Sequence, residues 1–141
     1  MSGTRPDRPL PHPSDLTRPY WEGTAQGRLL LQTCAGCGKP RHYPRWICDA
    51  CHSFDATWTE ASGRGRVHSW TVAHHAFHPA FADDLPYTLV VVDLEEGVRA
   101  LGRYTEPTGA GLRVGLPVRA AMQPVGGGVA LPLFAPDGDP A

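Results

Sequence analysis

Cys34-Ala35-Gly36-Cys37-Gly38-Lys39-Pro40-Arg41-His42-Tyr43-Pro44-Arg45-Trp46-Ile47-Cys48-Asp49-Ala50-Cys51 is the stretch that decides the fold of this chain. It holds two Cys-x-x-Cys pairs separated by ten residues. A two-residue gap lets both thiolates of a pair point at one centre. Two such knuckles, brought together by a hairpin, supply four sulfurs at tetrahedral corners. Gly38 follows the first pair, where a tight turn needs a residue free of Cβ clashes. Pro40 and Pro44 suit an extended hairpin between the knuckles. Cys34, Cys37, Cys48 and Cys51 are therefore the expected ligands of one structural metal ion.

The ion is expected to be zinc. The gap between the pairs is shorter than the common zinc-ribbon range, so iron in the same tetrathiolate cage is the alternative. Zinc is favoured because lysine, arginine and histidine line the hairpin, which reads as loop more than apolar shield. Four thiolates leave no open position for water, so the metal holds the fold and does no catalysis. A module this small needs such help, and structural zinc contributes about 10 kcal/mol or more to folding. Two disulfides are disfavoured, because no cysteine is left over from two identical knuckles.

Outward from the metal stretch, residues 1–13 are polar and proline-rich and predict a disordered arm. Ser14 or Asp15 is a plausible N-cap for a short helix over Leu16 to Arg28, with Pro19 in its first turn. Leu29 to Leu31 lead as a strand into the first knuckle. Residues 14–56 thus form a helix plus ribbon. Residues 57–135 change to strand patterns: Trp58 to Ala61, Arg66 to His74, Tyr87 to Leu94, Val98 to Tyr104, Val118 to Val125 and Val129 to Phe134. Tyr87 to Leu94 is the strongest of these, through the run Val90-Val91-Val92. Glu95-Glu96-Gly97 and Gly126-Gly127-Gly128 read as hairpin turns. Several short strands joined by glycine turns predict a small closed barrel. Residues 136–141 read as a flexible tail.

Composition bounds the function. The 141 residues carry a formal net charge of −1, with no overall pull toward nucleic acid or anionic membrane. Arg28 to His75 is mildly basic and Asp83 to Glu106 acidic. No apolar run is long enough to span a bilayer, and Met1 to Pro13 lacks an apolar signal region. The expectation is a cytoplasmic protein. All four cysteines are committed, the lone lysine is Lys39, and no glycine-rich phosphate loop opens a helix. No catalytic residue is nominated. His74, His75 and His78 cluster after a strand, but Pro79 argues against the helix that would align them. Arg64 and Arg66 flank Gly65 in a turn and suit either phosphate or solvent. Tyr20 and Trp21 suit either the core or a partner surface.

Several segments together resemble the family known as domain of unknown function 35. They are Tyr20-Trp21-Glu22, Gly27-Arg28-Leu29, both cysteine knuckles, Pro44-Arg45 and Ser62-Gly63-Arg64-Gly65. Leu85-Pro86-Tyr87, Val92-Asp93-Leu94, Glu96-Gly97 and Gly115-Leu116-Pro117-Val118 continue the match, which runs from about Ser14 to Phe134. The resemblance implies a mostly β protein: an N-terminal helix, a rubredoxin-like zinc ribbon and a five-stranded OB-fold barrel. It also implies an acyl-CoA-associated accessory role beside thiolase-like enzymes. Lipid-transfer-protein-like thiolases, steroid side-chain aldolases and MaoC-like hydratases are the implied partners, with the catalytic residues on the partner. In that role Arg41, Arg45, Arg64 and Arg66 are candidates to contact CoA phosphates or an acidic partner surface. Tyr20 and Trp21 are candidates to anchor the partner. A nucleic-acid-binding ribbon and OB-fold is the competing reading, opposed by the near-neutral charge.

Overall fold

A computed structural model describes residues 7–138. One short helix and eight strands form two joined modules. Helix α1 spans Arg18–Ala25. It is shorter than the sequence suggests at both ends. Ser14 and Thr17 bond reciprocally through backbone and hydroxyl groups, so the chain turns before the helix starts. Thr17, not Ser14 or Asp15, is the N-cap, and Pro19 lies in the first turn. Gly27, at φ 78°, ends it, since few other residues accept that backbone at low cost.

The metal module is a three-stranded antiparallel sheet in the order β2-β1-β3. Strand β1 spans Leu30–Cys34, β2 Pro40–Arg41 and β3 Ala56–Glu60. Strand β3 is a finding of the structure. Reading along the chain put Trp58 to Ala61 with the barrel, yet Leu30 pairs with Glu60 and Cys34 with Ala56. The ribbon sheet therefore continues past residue 56.

The second module is a closed barrel of five strands in the order β4-β5-β6-β8-β7. These are β4 (Arg64–Ala73), β5 (Tyr87–Leu94), β6 (Arg99–Tyr104), β7 (Pro117–Gly126) and β8 (Val129–Pro136). All neighbours are antiparallel except β6 and β8, which run parallel. This is the Greek-key order of an OB-fold. Strand β4 closes it by pairing with both β5 and β7 around Gly65. A Cβ at Gly65 would stand 2.6 Å from Val92 Cγ1 and closer still to the Asp93 carbonyl. Glycine is required by that approach.

The barrel is filled by Val67, Val90, Val92, Ala100, Val118 and Phe134, all nearly inaccessible. In β5 the run Val90-Val91-Val92 alternates, with Val90 and Val92 inside and Val91 half-exposed. Helix α1 packs against β8 of the barrel and β1 of the ribbon, so it ties the modules together. Tyr20 and Leu31 join the same core as the barrel valines.

The arm expected over 1–13 is described from residue 7, and the tail over 136–141 up to residue 138. The described part of the arm has no regular structure but is held in place. Arg8 Nη2 donates to Asp84 Oδ1 at 2.6 Å, and Arg103 Nη1 donates to the other oxygen at 3.0 Å. Burial would raise the Asp84 carboxyl, but hydrogen bonds from Arg103 and Arg8 outweigh it and hold it below its ordinary value. The connection between β4 and β5 contains a 3-10 helix over Pro79–Asp84. His78 caps it by accepting from the Ala80 N–H at 3.1 Å.

Candidate metal centre

Strand β1 delivers Cys34 at its end, and a tight turn through Gly38, at φ 78°, returns the chain as β2. The turn is closed by the Cys34 N–H, which donates to the Lys39 carbonyl at 3.0 Å. The second knuckle closes in the same way, with Cys48 N–H donating to Ser53 O at 3.0 Å. The four sulfurs then lie within 4.8 Å of one another. Cys34 and Cys51 sulfurs are 3.4 Å apart, and those of Cys37 and Cys48 are 3.7 Å apart. A tetrahedral ion with bonds of ~2.3 Å would separate its sulfurs by about 3.8 Å. The two closest pairs lie near that spacing, so the four sulfurs are placed to hold such an ion.

The two knuckles are chemically alike. Gly36 N–H donates to Cys34 Sγ at 3.3 Å, and Ala50 N–H donates to Cys48 Sγ at 3.4 Å. Cys37 N–H adds a second donor to Cys34. These backbone donors, Cys37 first, pull the Cys34 thiol down to about 6. Donors from Cys51 and Ala50 lower the Cys48 thiol as well. Both thiols are thereby prepared to bind metal as thiolates. Cys34 and Cys48 are buried, while Cys37 and Cys51 face outward. Lys39 lies beside the pair and bonds Asp49 at 2.9 Å, which raises its pKa above the ordinary lysine value.

The other nominated residues are scattered. Tyr20 is 5% exposed and belongs to the core, one of the two placements the sequence left open for it. Trp21 packs against it edge-on, with ring centroids 4.8 Å apart, and stays half-buried. Arg41 is also 5% exposed. Its Nε donates to Gln32 Oε1 at 2.6 Å and its Nη2 to the Arg45 carbonyl at 3.0 Å. It braces the hairpin and does not stand free on the surface. Arg45 is exposed beside it. Arg64 and Arg66 lie apart, at the barrel closure. Arg64 is 3.8 Å from Asp137, and Arg66 donates to the Gly115 carbonyl at 3.1 Å.

Reading along the chain missed a group of apolar side chains on the metal module. Trp46 is 63% exposed, Phe54 74% and Ile47 41%. The Cys48–Ser53 hydrogen bond brings the chain flanking the second knuckle together, with Ile47 before it and Phe54 after it. The available signal was their position. They lie on either side of the second cysteine knuckle, within three residues of a ligand cysteine.

Comparison with known proteins supports both modules. A family model described as the ChsH2 rubredoxin-like zinc ribbon domain matches residues 21–56. A second, described as the ChsH2 C-terminal OB-fold domain, matches residues 58–123. The chain is 38% identical, over 83% of its length, to a probable enoyl-CoA hydratase alpha subunit of Thermomonospora curvata. It is 34% identical, over 78% of its length, to the 3-oxo-4,17-pregnadiene-20-carboxyl-CoA hydratase alpha subunit of Mycobacterium tuberculosis. It spans only 36% and 34% of those two relatives. Among solved structures, a chain of the Ltp2-ChsH2(DUF35) aldolase matches with a TM-score of 0.82 at 35% identity. That match covers 90% of this chain and 98% of the other.

Proposed function

Because this chain belongs to the DUF35 family, as a ChsH2-type zinc ribbon joined to an OB-fold, we propose that it is a non-catalytic accessory subunit of a thiolase-superfamily enzyme. It docks on a lipid-transfer-protein-like thiolase or a steroid side-chain aldolase and supports the acyl-CoA path there. The observation that carries this reading is the match along 98% of a chain from the Ltp2-ChsH2(DUF35) aldolase. The names of the hydratase relatives favour a MaoC-like hydratase as a further partner.

The chemistry of the chain agrees. Its four cysteines converge on one closed tetrathiolate, which supplies structure and no open coordination position. Zinc is the ion we assign, held by Cys34, Cys37, Cys48 and Cys51. Among the described residues no helix is long and apolar enough to cross a membrane. We place the protein in the cytoplasm, where reduced thiols remain available to metal. With Tyr20 buried, the aromatic anchor of the partner contact falls to exposed Trp46 and Phe54, and half-buried Trp21 is a separate candidate. Aromatic side chains of this kind dominate binding energy at interfaces. The nucleic-acid reading is weaker. The groove over strands β5, β6 and β8, the ligand face of many OB-folds, is lined by Leu89, Leu101 and Leu131 with Pro9 and Leu10 across it, and its two cations, Arg8 and Arg103, are both bonded to Asp84.

The test is co-expression with a thiolase-like or aldolase subunit and measurement of acyl-CoA turnover. Activity is expected only for the pair. The double variant Trp46→Ala/Phe54→Ala should lose the partner while keeping its metal. Steady turnover by the isolated chain, or a double variant that binds as the parent does, overturns the reading.

A further inference from the structure

The ribbon hairpin and the β5–β6 turn meet in a cleft of about 390 Å³ that no catalytic or metal role uses. Lys39, Arg41, Arg45 and Arg99 line it, against only two carboxylates, Asp49 and Asp93. Lys39 is bonded to Asp49 at 2.9 Å, and Arg99 Nε to Asp93 at 2.8 Å. Both pairs are exposed, so each is weakly held. Arg41 and Arg45 form no direct ion pair among the described residues, and Arg45 acts on Asp49 only at longer range.

Arg41 forms the fixed wall. It is buried, its Nε and Nη2 are occupied by neutral oxygens, and its Nη1 has no hydrogen-bond partner. A buried cation balanced by no carboxylate, with a donor left over, costs free energy unless an anion comes near. The neighbouring His42 also has a buried Nδ1 without a partner. The Arg45 guanidinium makes no hydrogen bond among the described residues and is exposed at the mouth. Arg99 uses Nε for Asp93, which leaves its outer nitrogens to turn toward a ligand. The arginines first nominated at the other site compare poorly. There Arg64 and Arg66 share a depression with Asp93, Glu95 and Asp137.

We propose that this cleft binds the phosphate groups of a small-molecule ligand, with Arg45 and Arg99 as direct ligands and Arg41 as the fixed charge behind them. The planar guanidinium fork donates two parallel hydrogen bonds to such oxygens, which a point charge cannot do. The choice of coenzyme A as the natural bearer rests on the accessory reading above. The site itself does not.

The experiment is isothermal titration of the metal-loaded full chain at low salt, without any partner enzyme. The probes are pyrophosphate, coenzyme A, pantetheine and a short polyglutamate. Pyrophosphate and coenzyme A are expected to bind, and pantetheine, which has no phosphate, is not. Arg45→Glu/Arg99→Glu should weaken binding about tenfold or more, the weight of one lost charge-assisted hydrogen bond. Its metal content and circular dichroism should be unchanged. Arg64→Glu/Arg66→Glu should bind as the parent does. Pyrophosphate binding without coenzyme A binding supports the site and removes the coenzyme assignment alone. No pyrophosphate binding, equal binding by the Arg45/Arg99 variant, or tighter binding of polyglutamate overturns the proposal.

Discussion

The guanidinium of Arg41 donates from Nε to Gln32 Oε1 across 2.6 Å, inside the hairpin that carries the metal ligands. The same oxygen accepts the Arg45 N–H at 2.8 Å. Gln32 thus fixes both ends of the loop between the knuckles from a buried position on β1. Gln32→Leu should cost about 1–3 kcal/mol, because it leaves a buried cation and a backbone donor unpaired. Gln32→Glu should be far milder, since a carboxylate accepts both bonds. Chemical denaturation of the two metal-loaded variants checks this order.

Metal removal should unfold the ribbon. Cys34→Ser and Cys48→Ser each delete a buried ligand, and three thiolates cannot close the tetrahedron. Elemental analysis should give about one zinc per parent chain, and a loss of metal and solubility in both variants. Stoichiometric iron with visible colour would reject the zinc assignment.

Gly65→Ala should destabilise the barrel by about 1–3 kcal/mol, the usual cost of overpacking. The added methyl meets the Asp93 backbone and Val92 where β4 pairs with β5 and β7 together. Gly97→Ala is the contrast. It has open space for a Cβ, and only its φ of 88° resists substitution. Thermal melts of the two separate crowding from backbone strain, and Gly65→Ala should show the larger loss.

The arm gives a pH-dependent prediction. The Asp84 carboxyl titrates below its ordinary range in the folded chain. Its contribution to stability is therefore present above the unfolded pKa of about 4 and is lost as pH falls through the lower folded value. Asp84→Asn should be less stable than the parent at neutral pH. The gap should close as pH falls below about 4. Protease protection of residues 7–13, followed by mass spectrometry, should fall in the variant at neutral pH.

Half-buried His42 adds a second window of the same sign at higher pH. Burial pushes its pKa down to about 4, so the folded chain keeps it neutral while the unfolded chain takes a proton below about 6.5. Stability should drain away as pH falls across that interval. His42→Phe, which can keep the stacking between Tyr20 and Tyr43, should flatten the profile there. Denaturant midpoints between pH 5 and pH 6.5, compared at equal metal content, decide the matter.

The features that the sequence made legible are local ones. The knuckles announce themselves because two cysteines and their amide donors lie within four residues of each other. Strands β5 to β8 were readable because β-branched runs and glycine turns repeat along the chain. What escaped depends on partners far away in sequence. Strand β3 reads like a barrel strand, and only its pairing with β1 assigns it to the ribbon. Arg41 reads as a surface cation, and only Gln32, nine residues earlier, reveals it as a brace. Tyr20 and Trp21 look equivalent on paper, but the helix turns one into the core and leaves the other at its edge. The pull of Asp84 on Arg8 joins residues 76 positions apart, which no local pattern encodes.

Strand β3 crosses the seam between the two matched family models, which fall on either side of residue 57. The modules therefore cannot be exchanged like cassettes at that seam. A ribbon transplanted with residues 21–56 alone would arrive without most of its third strand, and the recipient barrel would be left with an unpaired one. Any chimera between relatives must carry the chain through Glu60, with Leu29 to accept the Ala61 N–H at 2.8 Å. Recombination that respects this boundary could pass a ribbon from one barrel to another intact. Recombination at the seam would leave two edges exposed to aggregation.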